Sequence, residues 1–118
     1  MKTLHVPGRL FSVADHAVDC IDNLYSKNER LVCHFKEDDD YFSVIFIGAI
    51  NVSSIETQWK GEVSPPMPKK LISTKYGNKN IKFNKGDEIG MFKSGSTVIL
   101  LFTENIELSN SLKMNQSI

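Results

Sequence analysis

The chain has 118 residues, a length that suits one domain, and 41% of them are hydrophobic, too many for a disordered chain. Fourteen basic residues balance fourteen acidic ones, which excludes a strongly electrostatic nucleic-acid binder, although Lys69-Lys70 could form a local patch. Cys20 and Cys33 have no metal-ligand spacing and are expected to be buried or half-buried thiols of a reducing compartment, so no metal is predicted.

In chain order, the opening residues read as extended structure that ends at a Pro7-Gly8 turn. Val13, Ala17, Ile21 and Leu24 have helical spacing, with Ser12 as the candidate cap, and predict a small helical segment between 12 and 25. Residues 30–35 form a short strand. Residues 36–40 form a charged loop, because Asp38, Asp39 and Asp40 repel one another and favour water. Residues 41–49 hold few polar groups and predict a strand buried on both faces. Residues 51–59 continue that strand or pair with it. Gly61 and the prolines at 65, 66 and 68 interrupt any ladder. Residues 71–76 form a strand closed by a Gly77-Asn78 turn, residues 84–90 a tight turn into a short strand, and residues 97–103 the last core strand. This rhythm predicts a mainly β fold, a sandwich or hybrid barrel of short strands with one small helical segment. A single domain is expected over 1–107, followed by a frayed tail at 108–118. No apolar run reaches the length of a membrane-crossing helix, and the opening MKTLHVPGRLFSV has proline and glycine where a secretory signal needs an apolar stretch. A soluble or peripheral chain is the expectation.

The segment Ser94-Gly95-Ser96-Thr97-Val98, at the mouth of the last apolar strand, carries the chemistry. Gly95 has no Cβ, so its carbonyl is open to attack and its backbone can adopt unusual angles cheaply. Ser96 places a hydroxyl next to that carbonyl. Attack by Ser96 Oγ converts the amide to an ester, and elimination followed by loss of ammonia leaves a pyruvoyl group at the new amino terminus. Alone, Gly-Ser-Thr also describes an ordinary turn entering a strand, so its context has to support the reading.

The context does so. The stretch GDEIGMFKSGSTVILLF resembles the self-cleavage region of the phosphatidylserine decarboxylases. PGRLFSV, NLYSKNERLVCHF, IGAINVSSIETQW and Val63-Ser64-Pro65-Pro66 resemble the same family in the same order, so the likeness runs from about residue 6 to about residue 107. The resemblance implies a carboxy-lyase that turns phosphatidylserine into phosphatidylethanolamine with a covalent pyruvoyl cofactor made from Ser96. It implies cleavage between Gly95 and Ser96 into a β chain and a short α chain. It also implies a peripheral location on the cytoplasmic face of the cell membrane. The family's base, a histidine oriented by an aspartate, belongs by the same resemblance to a segment N-terminal to this sequence. This chain is therefore expected to be the C-terminal part of the family protein, inactive in isolation and dependent on that segment, whether or not a separate chain supplies it. Where the family has Gly-Ser-Ile, this chain has Ser53-Ser54-Ile55, a departure expected to strain the backbone if that glycine has a positive φ.

The histidines present, His5, His16 and His34, stand away from the family's catalytic positions and read as surface or structural residues, although histidine is the usual first candidate for a base. Glu56 and Trp59 read as a peripheral carboxylate and a buried aromatic. Two alternatives from other classes stand beside the decarboxylase. One is a lipoyl- or biotinyl-carrier-like β module presenting Lys93 at a hairpin tip, although Phe92 and Ser94 fit the carrier pattern poorly. The other is a degraded remnant that is only a β scaffold.

Overall fold

The structure, a computed structural model, describes residues 1–50, 52, 54–64, 68–95 and 97–103. Its elements are β1 (Lys2–Val6), α1 (Asp15–Cys20), α2 (Leu24–Lys27), β2 (Arg30–Glu37), β3 (Asp40–Ile47), β4 (Ile55–Thr57), β5 (Gly61–Ser64), β6 (Ile72–Lys75), β7 (Gly90–Phe92) and β8 (Thr97–Phe102). The best-patterned segment forms the central hairpin. Along β2, Leu31, Cys33 and Phe35 point inward and alternate with Arg30, Val32, His34 and Lys36, the two-residue period of a half-buried strand. The turn to β3 is only Asp38-Asp39. Asp38 takes a left-handed backbone (φ 49°), which aspartate tolerates better than most residues. The charged stretch at 36–40 is thus a tight turn between two full-length strands and not an open loop.

Antiparallel pairing gives a five-stranded sheet in the order β6-β1-β2-β3-β8 and a three-stranded sheet in the order β5-β4-β7. The fold is mainly β, two facing layers, and neither sheet closes into a barrel. Leu31, Cys33, Phe35, Val44 and Phe46 of the large sheet meet Ile55 and Val63 of the small one in a single core. Phe35 extends it, stacking on Phe42 at 5.0 Å and meeting Trp59 edge-on at 5.9 Å. Such aromatic pairs add to burial through the favourable edge and offset geometry of their rings.

Several expectations are corrected. β8 is an edge strand of the large sheet, with Val98, Leu101 and Phe102 exposed and Leu100 packed against the core. β3 is not buried on both faces, since Tyr41 is exposed. β4 neither continues β3 nor pairs with it, because it belongs to the second sheet, between β5 and β7. The helical segment is two short helices parted at Asn23, which is left-handed (φ 55°). Ala14, not Ser12, stands at the first N-cap, and α1 buries none of its side chains. Cys20 is exposed and Cys33 buried, so only one of the two thiols matches its expected surroundings. The tail at 108–118, Ser53 and residues 65–67 lie outside the described residues.

Candidate active site

β3 ends where both halves of the candidate cleavage segment are anchored. On the incoming side, Phe92 of β7 pairs with Ile55 of β4, and its ring meets Phe46 at 5.5 Å and 61°. On the outgoing side, Thr97 and Val98 of β8 pair with Ile47 and Phe46 of β3. Phe46 therefore serves both anchors, by its ring on one side and by its backbone on the other. Gly90 makes the approach possible: a Cβ there would stand 2.6 Å from the Glu56 carbonyl oxygen and 3.1 Å from the Phe46 ring.

Between the anchors the chain crosses from one sheet to the other. Gly95, the candidate cleavage carbonyl, is exposed and left-handed (φ 57°), a conformation glycine adopts without the steric cost a Cβ brings. Ser96, the candidate nucleophile and pyruvoyl precursor, lies outside the described residues. β7 and β8 belong to different sheets, so Lys93 is not at the tip of a hairpin, the position a carrier module requires.

Lys93 is instead tied down twice. Its backbone N–H donates to the Ser54 carbonyl at 3.2 Å, and its ammonium donates to Glu62 Oε1 at 3.1 Å, across β4 from β7 to β5. The Lys93 hydrogen bond, then the approach of the Ser54 hydroxyl, then the charge of Lys93 hold the Glu62 carboxyl below its usual range. The Ser54 hydroxyl is buried and turned to that carboxylate without reaching full hydrogen-bond geometry.

A second polar group lies beneath the same end of β3. Asn28, fully buried, accepts from the Phe11 N–H at 3.0 Å and donates to the carbonyls of Phe11 and Gly48 at 2.9 Å each. Glu29 accepts the Gly48 N–H on its backbone oxygen, and its side chain meets His5 Nε2 at 2.7 Å, both side chains being buried. A buried histidine on a carboxylate looks like a general base, but the register argues otherwise. His5 pairs with Leu31, Leu31 with Phe46 and Phe46 with Val98, which puts His5 three strand spacings, about 14 Å, from β8. That pair braces the sheet end and does not reach the junction. His34 is two strands from β8 and bonded through Nδ1 to Ser43 at 2.7 Å, and His16 is exposed on α1. Trp59 sits in an aromatic cluster with Phe35, Phe83 and Tyr76, and Glu56 is on β4, paired with Met91 of β7. Among the described residues no cluster of three His, Cys, Asp or Glu could hold a metal ion, and no helix is long and apolar enough to cross a membrane.

The profile of the family described as phosphatidylserine decarboxylase matches residues 1–118. The chain belongs to the phosphatidylserine decarboxylase family. The phosphatidylserine decarboxylase proenzyme of Francisella philomiragia is 46% identical over 118 residues, covering 98% of this chain and 41% of the relative. That of Methylococcus capsulatus is 49% identical over 98 residues (83% and 34%), and that of Coxiella burnetii 46% over 105 residues (89% and 37%). The chain thus spans between about a third and about two fifths of the length of these phosphatidylserine decarboxylase relatives. The sequence motif names Gly95 and Ser96 as candidates. It gives no sign of the contacts of Glu62 and Ser54 with Lys93, which span more than thirty residues of sequence and leave no local signal.

Proposed function

We propose that this chain is the self-processing part of a phosphatidylserine decarboxylase, cut between Gly95 and Ser96 and bearing its pyruvoyl group on residue 96. The observation that carries the reading is Gly95, exposed and left-handed in the crossing between two anchored strands. A carbonyl there can be approached from solvent, and the anchors on either side limit how far the junction can move, which is what an intramolecular attack needs.

The processing chemistry balances without an oxidant. Ser96 Oγ attacks the Gly95 carbonyl carbon and its proton passes to a base. The carbon–nitrogen bond breaks, the nitrogen takes a proton, and an ester remains. Loss of the residue-96 α-proton expels the Gly95 carboxylate and leaves an enamine. This becomes an imine, water adds and ammonia leaves, giving a ketone on residue 96 with one water consumed. Serine is a weak nucleophile without a base, and His5 and His34 are too far from β8 to serve. The base comes, in this reading, from the part of the family polypeptide that this chain does not span. A pyruvoyl group supplies a ketone that captures a substrate amine and accepts electrons as carbon dioxide leaves. The substrate is phosphatidylserine, the product phosphatidylethanolamine, and the working location the cytoplasmic face of the cell membrane. Exposed Val98, Leu101 and Phe102 beside the junction support a lipid substrate.

The test is intact mass of this chain grafted in place of the matching segment of the Francisella philomiragia relative. Two fragments are expected, the smaller beginning at residue 96 with a blocked, ketone-bearing terminus, and Ser96→Ala should give one uncut polypeptide. Two fragments from Ser96→Ala, or a wild-type graft that stays whole, would overturn the reading.

A further inference from the structure

We propose that Lys93 and Glu62, with the backbone of Ser54, form a clamp that positions the Gly95-Ser96 bond for self-cleavage; the proposal rests on the cleavage reading above. Three observations meet at one residue. The Lys93 N–H is held by the Ser54 carbonyl at 3.2 Å, and its ammonium by Glu62 at 3.1 Å. Phe92, its neighbour, is the last residue of β7, so the ladder with β4 ends where the clamp begins. Gly95, two residues further on, takes the left-handed turn. Among the described residues, the clamp is the last tie on the N-terminal side of the bond to be broken.

The clamp acts on geometry more than on folding. Lys93 and Glu62 side chains are about half exposed, at 51% and 46%. A pair so open to solvent is screened and contributes little to global stability. Its placement matters more, because it fixes residue 93 from main chain and side chain together. Small losses of orientation in an intramolecular attack appear directly in its rate. The carboxyl of Glu62 is held below its usual range, chiefly by the Lys93 hydrogen bond. Lys93 and Glu62 are positioning residues; neither is placed as the base.

Two measurements test this. In the 118-residue chain, amide hydrogen exchange across residues 91–95 should quicken about threefold in Lys93→Met and in Glu62→Ala, the size expected of an exposed ion pair, with melting temperature nearly unchanged. In the Francisella philomiragia graft, each of these variants should slow self-cleavage by about the same factor. The charge-exchanged pair, Lys93→Glu with Glu62→Lys, should recover the rate. High salt should slow the wild-type graft and leave the single variants unaffected. Unchanged exchange, or cleavage at wild-type rate in both single variants, overturns the clamp. If exchange shows the tie but the wild-type graft never cuts, the cleavage reading falls and takes the clamp's role with it, while the contact itself stands.

Discussion

Cys33 lies in β2 with its side chain wholly out of solvent, and burial pushes its thiol up to about 12 from 9.0. The folded chain therefore keeps a proton that the unfolded chain loses once the pH passes 9.0. Below that point the thiol makes no difference to the pH dependence of stability. Above it, unfolding releases a proton, so stability falls as pH rises, by about 1.4 kcal/mol per unit until the folded thiol also titrates. Urea titrations in steps above pH 9.0 should show this slope in the wild type and lose it in Cys33→Ala. Identical slopes in both would mean that the thiol is not the group responsible. Asn28 shows the opposite use of a buried polar group. It makes three hydrogen bonds, two of them to the backbone of residue 11 and one to residue 48. A buried amide with its partners in place fixes geometry at modest net energy, and it ties the Pro7-Gly8 loop to the end of β3.

Among the elements, β3 does the most to set the junction. It pairs with β2 on one side and β8 on the other, and its Phe46 faces Phe92 of the other sheet. Truncation at Phe46 removes a ring from the core and from the incoming anchor at once. Phe46→Ala should cost about 3–5 kcal/mol in urea unfolding, against under about 1 kcal/mol for an exposed apolar position such as Leu101→Ala. Comparable losses at the two positions would show that the sheets do not meet through Phe46. The strands were legible wherever the two-residue period was clean, as in residues 31, 33 and 35. An unbroken apolar run such as residues 97–102 does not say whether a strand is central or at an edge, because pattern reports faces and not lateral neighbours. β4 was misassigned for a related reason. It is three residues long, carries a register shift at Ile55/Glu56, and has no local cue that it leaves one sheet for the other. The helical spacing runs from 13 to 24, but Ile21 turns extended and Asn23 left-handed, so the helix is interrupted between them. For the candidate site, the Gly95-Ser96 pair could be read from adjacent letters, whereas the Lys93–Glu62 and His5–Glu29 contacts join residues 31 and 24 apart and exist only once the sheets have paired.

Across the whole molecule, the chain passes between the two sheets four times, at β3 to β4, β5 to β6, β6 to β7 and β7 to β8. Neither sheet has a core of its own, since the buried cluster takes five side chains from the large sheet and two from the small. A three-stranded sheet of three- and four-residue strands is not expected to persist without the face it covers. The layers should therefore unfold together. Trp59 makes this measurable, because it lies between β4 and β5 yet packs on Phe35 of the other sheet at 5.9 Å. Its fluorescence reports the contact between layers, while far-ultraviolet circular dichroism is weighted toward the longer strands of the large sheet. In urea the two signals should give one midpoint and one slope, the behaviour of a single cooperative unit. An earlier fluorescence transition would mean that the small sheet detaches first. The crossing that carries Gly95 would then be loose in the folded chain, and neither its anchors nor the Lys93 tie could hold the bond in place for attack.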